Sequence, residues 1–135
     1  MTQLLLQTDG GSRGNPGPAA YGFVVKDSAG NLLEKCGNYL GLATNNQAEY
    51  AGLLAGLHWV IDHYPTSALT IQMDSLLIVN QLKGLFKVKH PDLIPKYQEA
   101  RGLLSQLSSW SIHHIPRSQN ALADSLLNTV LDSQS

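Results

Sequence analysis

Cysteine is almost absent from this chain: Cys36 stands alone among 135 residues. A lone thiol closes no internal disulfide, and no Cys/His partners lie at zinc-ligand spacing. A disulfide scaffold and a structural zinc site are therefore excluded, and a reducing, cytoplasmic setting is expected. Charge is scarce as well. Only 14% of residues are charged, against about 25% in an ordinary globular domain. Nine basic and ten acidic residues leave a net charge of −1, which argues against a high-affinity, sequence-independent clamp on nucleic acid. No apolar run approaches membrane-spanning length, so no membrane partner is expected. Residues 1–7 lack the basic start of a secretory leader and read as a first strand. Gly14-Asn15-Pro16-Gly17 has no following Gly-Lys-Ser/Thr, which argues against a phosphate-binding NTPase loop. No exposed apolar stripe stands out, so a monomer is the default expectation.

What the chain does contain is 43% hydrophobic residues, enough for one soluble domain over residues 1–135 with a core of its own. It also contains four acids, each in its own short motif. Asp9 lies in Thr8-Asp9-Gly10-Gly11-Ser12, and Glu49 ends Thr44-Asn45-Asn46-Gln47-Ala48-Glu49. Asp74 lies in Met73-Asp74-Ser75, and Asp124 ends Asn120-Ala121-Leu122-Ala123-Asp124. Taken singly, each reads as a solvated surface acid or a helix cap. Gathered by a fold, they form a hard, oxygen-rich site for Mg²⁺ or Mn²⁺, suited to two-metal hydrolysis of a phosphodiester. Crowded without cations they would repel, and one or more would keep a proton.

The pattern along the chain predicts where these motifs fall. Residues 3–9 read as a buried strand ending near Asp9, residues 12–18 as a Gly/Pro-rich loop, and residues 21–26 as a second strand. Residues 27–31 form a hairpin turn into a third strand over residues 32–42. The period then becomes helical: Thr44 and Gln47 resemble a capping box, and a helix over residues 46–63 places Glu49 in its first turn. Alternation over residues 69–74 gives a fourth strand ending at Asp74, and Ser75 caps a short helix through Leu82. A helix over residues 96–107 and a last strand over residues 110–115 follow, and Asn120 caps a final helix carrying Asp124. The fold class is α/β: a mixed five-stranded sheet, three antiparallel strands first and then two parallel, with helices on both faces. Asp9 and Asp74 then sit at strand ends, where such sheets gather ligands. Glu49 and Asp124 would lie near helix starts, which favour negative charge.

Together, the residues from Asp9 to Gly17, from Thr44 to Tyr50, Asp74-Ser75 and Asn120…Ala123-Asp124 resemble type 1 ribonuclease H. The resemblance spans nearly the whole chain and is nearest to the compact branch that lacks a basic protrusion. It implies endonucleolytic cleavage of the RNA strand of an RNA/DNA hybrid, leaving 5′-phosphate and 3′-hydroxyl ends. It makes Asp9, Glu49, Asp74 and Asp124 the catalytic metal ligands, for two Mg²⁺ ions with Mn²⁺ as substitute and Asp9 shared by both. It also assigns substrate contacts to the glycine-rich stretch and the Asn-Asn-Gln stretch. Physically, Gly10, Gly11 and Gly14 allow close backbone approach to a ribose or phosphate. Ser12, Asn15, Asn45, Asn46 and Gln47 offer short donors and acceptors for 2′-hydroxyls. As isolated signals these are turn residues and caps.

Larger members carry a mobile histidine before the last aspartate. Here residues 116–120 hold none, and Arg117 is the better phosphate contact. His113 and His114 read as structural or surface residues on opposite faces of the last strand. Residues 83–89 stand where a basic handle would be, and Lys87 and Lys89 are expected to meet the DNA strand. The alternative reading is a catalytically weak module of the same fold that binds hybrids or double-stranded RNA. A related enzyme acting on double-stranded RNA or DNA junctions remains open beside it.

Overall fold

The computed structural model describes residues 2–134. Its elements, in chain order, are β1 (Gln3–Ser12), β2 (Gly17–Asp27), β3 (Leu32–Ala43), α1 (Asn45–His63), β4 (Ala68–Met73), α2 (Leu76–Leu82), α3 (Ile94–Leu104), β5 (Ser109–His114) and α4 (Ala121–Ser133). The five strands form one sheet in the order β3-β2-β1-β4-β5. β1–β2 and β2–β3 pair antiparallel, and β1–β4 and β4–β5 pair parallel. That is the expected mixed sheet. Helices cover both faces: α1, α2 and α3 share the large apolar core with Leu6, Phe23 and Ile71, while α4 seats Leu127 and Leu131 against Ala20 of β2.

Several boundaries differ from the expectation, each for a local reason. β1 continues past Asp9 to Ser12, and β2 begins at Gly17, because Gly10↔Tyr21, Gly11↔Ala20 and Ser12↔Ala19 extend the antiparallel ladder. The glycine-rich motif is therefore mostly strand, and only residues 13–16 form the loop. α1 starts at Asn45 behind the capping box expected at Thr44 and Gln47, so Glu49 is its fifth residue and lies beyond the first turn. The helix dipole is consequently not what steadies Glu49. α3 begins at Ile94, two residues before the expected start, because Pro95 sits in the first turn, where its missing N–H costs nothing. It also ends at Leu104, short of the expected Leu107.

Ser75 caps α2 as expected. Asn120 does not cap α4: its side-chain amide donates instead to the Thr8 carbonyl at 2.8 Å, tying the start of α4 to β1 beside Asp9. A short 3₁₀ turn, Arg117–Gln119, precedes it. Trp59 and Trp110 pack against the edge of the main core.

One close approach decides the layout of the site. A Cβ on Gly10 would fall onto the Ala48 carbonyl and the Glu49 nitrogen, so α1 and β1 touch backbone to backbone here. The residue needs to be glycine for helix–strand contact, a use the sequence reading had assigned to the substrate. At Gly11 a Cβ would meet only Leu127 at 3.5 Å and the Asn45 side-chain oxygen at 3.7 Å, ordinary contacts. Gly10→Ala is therefore expected to destabilise the fold by about 1–3 kcal/mol, the range for overpacking. Gly11→Ala should stay within about 0.5 kcal/mol, the usual range away from such crowding. Urea unfolding of the two variants side by side checks this, and equal losses would contradict the backbone contact.

Candidate active site

Four elements deliver the acids to one place. β1 carries Asp9, α1 carries Glu49, α4 carries Asp124, and Asp74 directly follows β4. Parallel pairing of β1 with β4 puts Thr8 opposite Met73, so the next residues, Asp9 within β1 and Asp74 just past the end of β4, lie side by side. One oxygen from each of Asp9, Glu49 and Asp74 falls within a mutual distance of 4.8 Å. Asp124 lines the same cavity, about 540 Å³ in volume, and its carboxylate is paired with the Arg117 guanidinium at 3.2 Å.

Burial makes this crowding costly. Asp9 and Glu49 are each 5% exposed, whereas the side chain of Asp124 is 26% exposed. Asp9 is pushed up to about 9, first by burial and then by the charges of Glu49 and Asp74, with Asp124 adding to the push. Glu49 is pushed up to about 8, again by burial first and then by Asp74. At neutral pH the metal-free pair retains a proton. The fold supplies one compensation: the Gly10 N–H donates to Glu49 Oε1 at 2.7 Å and to Asp9 Oδ1 at 2.9 Å, bridging both carboxylates. Arg117 is raised, chiefly by Asp124, with Asp9 and Asp74 contributing at longer range.

The donor set fits divalent cations of the Mg²⁺ or Mn²⁺ class. It is all oxygen and anionic, it is clustered at coordination scale, and its held proton marks charge that a cation would neutralise.

The expected substrate residues divide. Gly10, Gly11, Ser12, Asn45 and Arg117 line the cavity with the acids. Gly14, Asn15, Asn46, Gln47, Lys87 and Lys89 do not. Asn15 accepts from the Asn45 N–H at 3.0 Å, and Asn45 accepts from the Ser12 N–H at 3.3 Å, so these asparagines lace the β1–β2 loop to the start of α1. Asn15 and Asn46 line a neighbouring cavity of about 220 Å³ with Thr44 and His90. Gln47 is used in the capping box. Lys87 lies beside Phe86 and Tyr97 along the α2–α3 connection.

Arg13 and Asn128 line the cavity unexpectedly, and His114, expected to be a structural or surface residue, lines it as well. His114 had a findable signal, since it ends β5 in register with Met73, one residue before Asp74. Asn128 lies one helical turn after Asp124 and donates to its carbonyl at 3.0 Å.

Comparison with known proteins places the chain and its fold. The profile described as reverse transcriptase-like matches residues 7–130. A bifunctional protein of Mycobacterium tuberculosis is 44% identical over 132 residues, 97% of this chain and 36% of that protein. Ribonuclease HI of Halobacterium salinarum is 44% identical over 124 residues, 92% of this chain and 62% of the archaeal protein. The crystal structure of the halophile's RNase H1 superposes with a TM-score of 0.92 at 42% identity, covering 97% of this chain and 98% of that one. LC11-RNase H1, solved in complex with an RNA/DNA hybrid, gives a TM-score of 0.92 at 38% identity over 97% of this chain and 98% of that one. The chain thus spans about a third of the length of the mycobacterial protein. Fold and acidic cavity together define a ribonuclease H-like domain. Within that class, the chain belongs to the type 1 ribonuclease H family.

The raised carboxyls set a pH dependence. Because the folded state holds protons that an unfolded carboxylate releases near pH 4, metal-free stability is greatest at low pH within the window. It falls as pH rises from about 4 to about 9. Thermal melts without divalent ions should show Tm decreasing from about pH 5 to about pH 9, with stabilisation by added Mg²⁺ or Mn²⁺ growing over the same span. Asp9→Asn should flatten the metal-free profile. A profile already flat in the unmodified protein would contradict the buried cluster.

Proposed function

We propose that this domain is a metal-dependent endoribonuclease that cleaves the RNA strand of RNA/DNA hybrids. The observation that carries the reading is the meeting of Asp9, Glu49, Asp74 and Asp124, from four separate stretches of chain, around one open cavity. Two Mg²⁺ ions, or Mn²⁺ in their place, would be held by these acids. Asp9 would be the ligand shared between them, as the resemblance to type 1 ribonuclease H implies, and it has an oxygen within 4.8 Å of those of Glu49 and Asp74. The chemistry such ions supply is activation of a water and neutralisation of charge on the phosphodiester, which leaves a 5′-phosphate and a 3′-hydroxyl.

The chain's own residues do the rest. Glu49 and Asp9, fixed by the Gly10 N–H, form the rigid half of the site, and Asp124, on the more exposed α4, completes it. No histidine or serine nucleophile is required. Arg117, with its side chain 75% exposed, is placed to exchange its partner Asp124 for a substrate phosphate. The Gly10–Ser12 backbone and Asn45 border the cavity and face the RNA minor groove, where 2′-hydroxyls distinguish RNA from DNA. Gly14, Asn15, Asn46 and Gln47 extend that surface, and Lys87 and Lys89 meet the DNA strand. LC11-RNase H1, with a hybrid bound, supports this choice of substrate by analogy.

Among the described residues no helix is long and apolar enough to cross a membrane. With Cys36 as its lone cysteine, the domain is proposed to work in a reducing cytoplasmic setting, as a monomer.

The test is cleavage of an end-labelled RNA/DNA hybrid in Mg²⁺ and in Mn²⁺, beside single-stranded RNA, an RNA duplex and an Asp74→Asn variant. Cutting should be confined to the hybrid, and the variant should lose at least about a hundredfold in rate, since a metal ligand supports several kcal/mol of transition-state charge stabilisation. Folded protein that binds hybrid without cutting it in either ion would instead be a binding module.

A further inference from the structure

The acids of the cavity are flanked by two guanidiniums, and only Arg117 had been expected there. The other is Arg13, at the end of the cavity formed with Asn128. Its guanidinium donates to Asp132 Oδ1 at 2.6 Å and to Asn128 Oδ1 at 3.3 Å. Its backbone is fixed as well, since Arg13 N–H donates to the Pro18 carbonyl at 2.8 Å across the mouth of the β1–β2 loop. Asn128 in turn holds the Asp124 carbonyl. The position of the Arg13 head group is thereby referred, through one side chain, to the turn of α4 that carries an acid of the site.

As a brace, this pair is a poor use of an arginine. Its side chains are 43% and 70% exposed, and ion pairs this open add only about 0–1 kcal/mol. As a recognition element it is well placed. A guanidinium offers a planar fork of donors matched to phosphate, and this one borders the same cavity as the carboxylates.

We infer that Arg13 is a phosphate anchor for the RNA strand, binding a phosphodiester that flanks the one at the acids. The strand whose phosphate lies at the carboxylates is the strand that continues along the cavity to Arg13. Asp132 and Asn128 hold the guanidinium in readiness, and the phosphate competes with Asp132 for it. Arg13 would then set the phase of the substrate over the acids, with Arg117 bordering the same cavity. This inference rests on the proposed hybrid cleavage and adds a contact to it.

The experiment measures binding of a fluorescent RNA/DNA hybrid by anisotropy across a NaCl series with Mg²⁺ present. An Asp74→Asn background prevents cutting, and Arg13→Gln, Arg13→Lys and Asp132→Asn are compared within it. Cleavage by the unmodified chain and thermal melts of every variant run in parallel. Arg13→Gln should weaken binding about tenfold, as for a lost charge-assisted hydrogen bond, and should lower the salt slope by about 0.9, one phosphate contact. Arg13→Lys should keep the slope and recover part of the affinity. Asp132→Asn should tighten binding, the opposite direction. If Arg13→Gln and Asp132→Asn lower Tm alike and leave affinity and slope unchanged, Arg13 is only a brace and the inference fails. If the unmodified chain neither binds nor cuts the hybrid, the proposed function itself fails, which is a distinguishable result.

Discussion

The structure depends on one N–H group. Gly10 places its amide between Asp9 and Glu49, and it does so because nothing on its α carbon keeps α1 away from β1. Two buried carboxylates facing each other are an electrostatic liability, and a single shared donor offsets only part of it. The rest is borne by the apolar contacts that press α1 onto the sheet, where Leu53, Leu57 and Val60 are fully buried with Leu6. The core thus works against the site. Burial that stabilises the helix–sheet contact also strips water from Asp9 and Glu49, and the stored repulsion is what gives the cavity its demand for cations.

The four acids are not held equally. Asp9 and Glu49 stand on the side of the large core, fixed by backbone contact. Asp124 rides on α4, whose buried seat consists of Leu127 and Leu131 on Ala20, with the helix drawn close where Gly22 and Gly37 leave room. What locates Asp124 is instead polar and local: Asn120 on the Thr8 carbonyl, Asn128 on the Asp124 carbonyl, and Arg117 on the carboxylate itself. Such a ligand can adjust by small amounts without disturbing the core. Two acids fixed on the core side and Asp124 held by local polar contacts suit a site whose charge distribution changes as a phosphodiester is cut.

Much of this was legible in the residues. The order of elements, the antiparallel-then-parallel sheet and the capping box before Glu49 each carry a local signature, and each was found in place. What could not be read was contact between distant segments. Gly10 looks like any flexible glycine until α1 is laid across it, and Asn120 looks like a helix cap until β1 lies within reach of its amide. Arg13 gave no signal because its partners lie 115 and 119 residues away. Lys87 and Lys89 stood out as a local run of positive charge, yet the structure sets them apart from the acidic cavity. Local chemistry announces ligands, whereas the residues that aim them emerge only from packing.

The same arrangement resolves an apparent contradiction in a chain of net charge −1. A cavity lined by carboxylates should repel a polyanionic strand, and the domain has no broad basic surface to compensate. On the proposed reading the attraction is conditional. Four carboxylates are balanced by two divalent cations, and Arg13 and Arg117 then leave the cavity positive along the path of the strand. Before the ions bind, both guanidiniums are occupied by acids of α4, Asp132 and Asp124. A cation held by Asp124 would weaken its pairing with Arg117 and free that guanidinium for phosphate, whereas Arg13, paired with Asp132, would be reached by phosphate without it. On that reading, affinity for substrate and competence for chemistry would be coupled through Asp124 in a domain with little positive charge.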